Sequence, residues 1–219
     1  MKKIEIKEFG GPEVLEIKNV DIGKPGQNEV LVKNLSIGIN YIDTYHRSGL
    51  YPIPLPSGIG LEACSIIEEV GSEVKLFKVG DRVTRASMPI GTYSEKQIIP
   101  EDKLVKVPDN ISDEVASCIT LKGITAEYLL HRTYQVKKGD KILYHAAAGA
   151  LGQIFCPWAN ALGAEIIGTV GSDEKIEIAK KNGCHHVINY NEKNFVEEVE
   201  KIVGKNGLDV VYDGVGAKT

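Results

Sequence analysis

The chain has 219 residues, 42% of them hydrophobic and 26% charged, against a globular norm of about 25% charged, so disorder, collagen and coiled coil are excluded and one large or two smaller domains are expected. Its 26 basic residues are outnumbered by 30 acidic ones, for a net charge of −4, and no basic block dominates any segment, which disfavours nucleic acid and favours small molecules as partners. Cys64, Cys118, Cys156 and Cys184 are dispersed, without the close pairs of zinc ribbons or disulfide scaffolds, and fit a reducing cytosol.

The opening MKKIEIKEFG alternates charged and apolar residues, so no signal peptide is expected there. From Met1 to about Pro108, short alternating stretches such as KIEIKEF, EVLEIKNV, SIIEEVGSEV and YSEKQIIP are separated by turns at Gly10-Gly11-Pro12, Gly80-Asp81 and Pro108-Asp109. That spacing predicts a β-rich region, with Asn40 to Ser48 its best helix. Ser112, followed by Asp113 and Glu114, opens a helix with an acidic first turn, and Thr125 to Tyr134 continues helical. Strands then alternate with helices: strand Lys141 to His145, helix Ala150 to Leu162, strand Glu165 to Val170, helix Asp173 to Asn182, strand His186 to Tyr190, helix Asn194 to Val203 and strand Asp209 to Asp213. Alternation of this length implies a parallel sheet with right-handed crossovers. The charge-free run Ile142 to Ala164 is long enough for a bilayer, but its glycines, His145, Gln153, Pro157 and Asn160 make it a buried strand, turn and helix.

The first βα turn runs from Tyr144 to Gly152. Against the dinucleotide fingerprint G-x-G-x-x-G, Ala147 takes the first glycine's place, while Gly149 and Gly152 keep those that admit pyrophosphate to the backbone and let helix pack on strand. Phosphate there meets the positive end of a helix. A merely tight turn would show the same two glycines; the βα series behind it favours the dinucleotide. About 20 residues on, where an NAD-preferring site carries Asp or Glu, stand Gly171 and Ser172. Ser172 reads as an N-cap, with Asp173 and Glu174 complementing the helix dipole. Lys175 opposes that dipole; it is either a solvated surface lysine or the partner of an anion such as a 2′-phosphate. His185 and His186 would face opposite sides of a strand, which argues against a shared metal. No G-x-S-x-G elbow occurs, and the terminal GVGAKT with Lys218 lacks the glycine and spacing of a Walker A loop.

The segments GGPEVLE (10–16), GINYIDTYHRSGLYP (38–52), LPSGIGLEACSIIEEVG (55–71), GDRV (80–83), LKGITAEYLL (121–130) and HAAAGALG (145–152) together resemble the quinone oxidoreductases of the zinc-free medium-chain dehydrogenase/reductase superfamily. The resemblance covers essentially the whole chain. It implies an α/β protein: a GroES-like β-rich catalytic domain over 1–122 and a Rossmann domain, a doubly wound parallel sheet, over 123–219. In that family NADPH reduces quinones or related conjugated carbonyls in the cleft between the domains.

By resemblance, Asn40, Tyr45, Tyr51 and Thr125 line the nicotinamide and substrate cleft. The phenols of Tyr45 and Tyr51 suit a quinone oxygen and their rings a flat substrate; equally, they are amphipathic aromatics closing a turn near Pro52. Ala148, Gly149, Ala150, Leu151 and Gly152 would hold the pyrophosphate, and Gly171, Ser172, Lys175 and Tyr190 match the adenosine 2′-phosphate pocket. Zinc-dependent relatives place cysteine and histidine where this chain has Asn40 and Leu61, neither a plausible zinc ligand, so no metal is expected. Asp43 and Glu62, equivalent to carboxylates behind the zinc of those enzymes, are read as structural. The family also implies a homodimer and a cytoplasmic location. A noncatalytic NADPH-binding protein, in the manner of crystallin relatives, is the alternative; RNA binding is discouraged by the negative charge. Pro157 is expected to kink the cofactor helix. A full doubly wound domain has six strands and four are counted before Thr219, so the Rossmann domain is expected to be truncated at its C-terminal end and its activity reduced or lost.

Overall fold

In a computed structural model, which describes residues 1–216 and 219, the chain divides into two compact units, Met1–Leu121 and Lys122–Thr219. Lys218, the lysine of the rejected Walker-like ending, lies outside the described residues.

The first unit is built from β1 (Lys2–Ile6), β2 (Glu16–Asn19), β3 (Glu29–Gly38), α1 (Tyr41–Ser48), β4 (Ser57–Gly58), β5 (Glu62–Val70), β6 (Arg82–Ala86), β7 (Lys96–Pro100) and β8 (Val105–Lys106). All its pairings are antiparallel, in the orders β2-β1-β4 and β7-β3-β5-β6-β8. Alternation puts Val30 and Val32 of β3 on one face with Ile67, Val83 and Ile99, and these bury together with Leu104. The β3–β5 ladder slips between Asn34 and Ser36. Leu35 is the residue left without a partner there. Asn34, still opposite Ser65, donates its side-chain amide to the carbonyls of Thr92 and Ser94 (3.0 and 2.8 Å) while accepting from the Ser65 hydroxyl, and so holds the segment that carries Tyr93.

Helix α2 (Asp113–Tyr128) crosses from one unit's residues to the other's. Ser112 caps it, its hydroxyl accepting from the Val115 N–H at 3.3 Å. The predicted helix to Tyr134 stops earlier. Leu129–Thr133 widens into one π turn, and Tyr134 is already extended at φ −139°.

The second unit contains β9 (Lys141–Tyr144), α3 (Gly152–Ala161), β10 (Glu165–Val170), α4 (Glu174–Lys181), β11 (His186–Asn189), α5 (Phe195–Val203) and β12 (Val210–Tyr212). The sheet is parallel throughout, ordered β11-β10-β9-β12. This is the doubly wound order with its switch between β9 and β12, where such sheets bind ligands beyond the strand C-termini. Tyr144, Phe155, Cys156, Ile142 and Ile166 are among the residues packed on one face, and Leu143, Ile167, Ile188 and Val199 on the other. Cys64, Cys156 and Cys184 are buried free thiols, whereas Cys118 is exposed.

Two local expectations are corrected. Strand β9 ends at Tyr144 and α3 starts at Gly152, two residues after the predicted Ala150, because Ala146 takes a left-handed φ of 59° and opens a wider turn. Ser172 is not the N-cap of α4. That position falls to Asp173, whose side chain makes no cap and accepts instead from the Asn189 amide at 2.9 Å. Helix α3 runs as one element through Pro157.

Candidate active site

In the first unit the segment Gly38-Ile39-Asn40 leaves β3 and enters α1. Only glycine fits at 38, since a Cβ would lie 1.9 Å from the Ser117 carbonyl oxygen and 2.9 Å from Glu62 Oε2. The chain therefore passes close over Glu62, and Asn40 arrives in extended backbone (φ −128°, ψ 150°) as the N-cap of α1. Its amide Nδ2 donates to Glu62 Oε2 at 2.9 Å, and the other Glu62 oxygen accepts the Leu121 N–H at 2.7 Å. Its backbone N–H donates to Asp43 Oδ2 at 2.9 Å. Asp43 accepts a second bond there, from the Tyr93 hydroxyl at 2.8 Å.

Glu62 and Asp43 are both buried. Such carboxylates are tolerated because donors face them, and the consequence is an Asn40 fixed in backbone and side chain. Burial, and then the Asp43 carboxylate, push the Tyr93 phenol well above its ordinary range. It stays a hydrogen-bond donor at every physiological pH. Tyr93 escaped sequence reasoning because its partner is 50 residues away.

Tyr45 lies on α1 and Tyr51 just after it, tied by the Tyr51 N–H to the Tyr45 carbonyl (3.2 Å). Their rings sit 5.1 Å apart at 60°. Tyr45 is half-buried and Tyr51 exposed, so the ring surface reaches solvent. Thr125, the fourth predicted residue, is half-buried on α2 within the second unit.

In the second unit the turn after β9 is pinned from both neighbouring strands. His145 N–H donates to the Tyr212 carbonyl (3.0 Å) and Ala147 N–H to the Thr169 carbonyl (3.0 Å), while His145 Nδ1 bonds the Thr169 hydroxyl at 2.8 Å. Burial holds the His145 imidazole below its ordinary pKa, against the pull of Asp213. A Cβ on Gly152 would stand 2.4 Å from the Ala147 carbonyl oxygen, and one on Gly168 of β10 would stand 2.7 Å from the Ala147 Cβ. Gly152 is thus required by contact, and Gly168, unremarked in sequence, lets the turn sit down on β10. Gly149 is less constrained, at 3.0 Å from the Ala146 carbonyl oxygen. Ala148 and Leu151 tuck inward, leaving Ala146, Gly149 and Ala150 exposed. This is a backbone cradle at a helix start, fit for an anionic group.

Beyond β10, a Cβ on Gly171 would meet the Tyr190 hydroxyl at 2.7 Å, and the Asn191 amide donates to the Gly171 carbonyl at 2.7 Å. Gly171 and Tyr190 are therefore adjacent. Ser172 is half-buried beside them, its carbonyl accepting the Lys175 N–H at 3.1 Å. Lys175 is exposed and, among the described residues, makes no ion pair. His185 Nδ1 accepts the Ile166 N–H and His186 pairs with Glu165 at 3.2 Å; the two histidines engage different partners. Grooves of about 400 Å³ beside α5 and about 390 Å³ along β11 contain none of the predicted site residues.

Two family models match: an alcohol dehydrogenase GroES-like domain over residues 26–109 and a zinc-binding dehydrogenase over residues 150–219. The donor set does not suit zinc at the positions zinc enzymes use. Asn40 offers an amide already committed to Glu62, and Leu61 is a buried hydrocarbon. Among curated proteins, the chain is 49% identical over 219 residues to a quinone oxidoreductase of Pseudomonas aeruginosa, covering 100% of this chain and 67% of that one. It is 50% identical over 218 residues to quinone oxidoreductase 1 of Escherichia coli, covering 99% and 67%. It is 48% identical to a 2-haloacrylate reductase of a Burkholderia species, covering 98% and 66%. The chain thus spans about two thirds of the length of these relatives. Among solved structures, Escherichia coli quinone oxidoreductase complexed with NADPH superposes with a TM-score of 0.96 at 49% identity, over 99% of this chain and 67% of that one.

Proposed function

Since the chain belongs to the quinone oxidoreductases of the medium-chain dehydrogenase/reductase superfamily, we propose that it reduces a quinone or related conjugated carbonyl at the expense of NADPH, without zinc, through the residues described above. NADPH, when bound, supplies the hydride that reduces the acceptor. Ala148, Ala150, Leu151 and Gly152 would offer backbone N–H groups to its pyrophosphate at the start of α3, while Gly149, whose own N–H donates to the Ala146 carbonyl at 2.8 Å, would leave the approach free of a side chain. Gly171 and Ser172 leave room for the adenosine ribose, Lys175 offers an ammonium to the 2′-phosphate, and Tyr190 offers a hydroxyl. Asn40 and Thr125 orient the nicotinamide and acceptor. Tyr45 and Tyr51 present ring faces to the flat acceptor and phenol donors to the oxygen on which charge develops. An acceptor already activated by conjugation needs no Lewis acid, which agrees with an amide and a hydrocarbon at positions 40 and 61.

The observation that carries this reading is the pinned, glycine-dependent turn from Ala146 to Gly152 on the first βα unit of a parallel sheet. The same reading makes the protein a homodimer in the cytoplasm. The cysteines are free thiols, in keeping with a reducing compartment, and among the described residues no helix is long and apolar enough to cross a membrane. Steady-state oxidation of NADPH with a panel of quinones, beside a calorimetric NADPH titration, tests the function, and light scattering tests the dimer. Turnover with saturable NADPH binding is expected. Binding with no turnover on any quinone would replace the reductase by a noncatalytic NADPH-binding protein, and no binding would remove the dinucleotide site.

A further inference from the structure

Tyr41 stands outside every role assigned so far. It opens α1 four residues before Tyr45, so the two side chains share a helix face, and their rings meet edge to face at 5.3 Å. Tyr45 in turn lies 5.1 Å from Tyr51. The three rings make one continuous aromatic surface whose outermost member is the most open, with Tyr41 76% and Tyr51 51% exposed. Their chain neighbours Ile39 and Leu50 are 78% and 63% exposed. Contiguous apolar surface left to water marks a contact site, and continuity with Tyr45 and Tyr51 says which contact.

We propose that Tyr41 is a specificity-determining residue that reads the size of the acceptor's ring system, favouring a quinone that carries a second, fused ring. This rests on the acceptor reading of Tyr45 and Tyr51. A single quinone ring is satisfied by those two residues. A fused ring extends along the surface onto Tyr41, where it buries further apolar area and gains an aromatic contact.

Equilibrium dialysis of the chain with duroquinone and with 2,3-dimethyl-1,4-naphthoquinone tests this. The two share a fully substituted quinone ring, which blocks addition to thiols, and differ by one fused benzo ring. Tyr41→Ala is expected to weaken the naphthoquinone by about tenfold and to leave duroquinone within about twofold. Tyr41→Phe, which keeps the ring and removes only the hydroxyl, is expected to restore wild-type affinity for both. In turnover with NADPH the same discrimination appears in KM and not in kcat.

Equal weakening of both quinones, or none, overturns the role of Tyr41 while leaving the acceptor site standing. A change in oligomeric state on Tyr41→Ala, with ring-size discrimination unchanged, overturns it in favour of a contact between copies. Failure of the wild-type chain to bind either quinone overturns the acceptor reading itself, and this inference with it.

Discussion

Two buried carboxylates and one exposed ammonium define how single residues matter here. Glu62 receives the Asn40 amide on one oxygen and the Leu121 N–H on the other. Glu62→Gln replaces an acceptor with an amide donor, so one of those N–H groups is left facing N–H. A buried donor deprived of its partner costs about 1–3 kcal/mol, and a urea midpoint lowered accordingly, with unchanged m-value, is the expected result. At the other site Lys175 is exposed and unpaired among the described residues. Its value lies in what it binds. Lys175→Glu should leave stability within about 0.5 kcal/mol and weaken NADPH by about tenfold or more relative to NADH, measured by parallel calorimetric titrations. Equal affinity of the wild-type chain for both nucleotides would refute the 2′-phosphate assignment. The roles proposed for Asn40, Tyr45, Lys175 and Tyr190 come from family motifs that the sequence carries. Tyr93 was not, since its meaning depends on an Asp43 oxygen that only the tertiary fold brings to it. Ser172 misled for the same reason: Asp173 next to it answers to Asn189, 16 residues away.

At the scale of elements, the alternation of strands and helices after Lys141 was legible because each buries one apolar stripe at its own period, and β10 emerged with the boundaries that sequence predicts. Element ends were less legible. The turn before α3 is set by the left-handed Ala146 and by contacts to β10 and β12, and the π turn at Leu129–Thr133 carries no pattern of its own. Helix α3 shows propensity overruled by packing. Pro157 supplies no N–H to Gln153, yet the helix continues, with Phe155, Cys156 and Ala159 buried around the proline. Pro157→Ala restores the missing donor and relieves crowding on the preceding turn, effects worth up to about 3 kcal/mol in a helix interior. The variant should melt at a higher temperature, and a lower melting temperature would show that the proline ring fills space the core needs.

For the molecule as a whole, pH enters through His145. Burial holds its imidazole below the ordinary value, so the folded chain keeps it neutral at a pH where the unfolded chain binds a proton. Its contribution is therefore fully present above about pH 6.5 and is lost as pH falls from there through the depressed folded value. Asp213 acts lower on the scale and with the same sign. The backbone N–H groups of Gly216 and Val215 hold its carboxyl below the usual range, so what it adds is present above the ordinary carboxylate pKa and disappears in stronger acid. Urea midpoints should fall between pH 7.5 and 5.5 in the wild type, and His145→Gln should flatten that slope. A wild-type midpoint flat over this interval would mean that His145 titrates normally.

The distribution of thiols gives the chain a built-in clock. Cys64 is buried in the first unit and Cys156 and Cys184 in the second, whereas Cys118 is open to solvent. Under a pulse of alkylating reagent, Cys118 should be modified at once, while each interior sulfur waits for its own surroundings to open. Mass spectrometry of timed pulses in mild denaturant would then assign an opening rate to Cys64 and another to the Cys156 and Cys184 pair, resolving whether the β-rich and βα portions come apart together or in turn. No engineered probe is required, because three interior reporters and one reference are already present in the sequence.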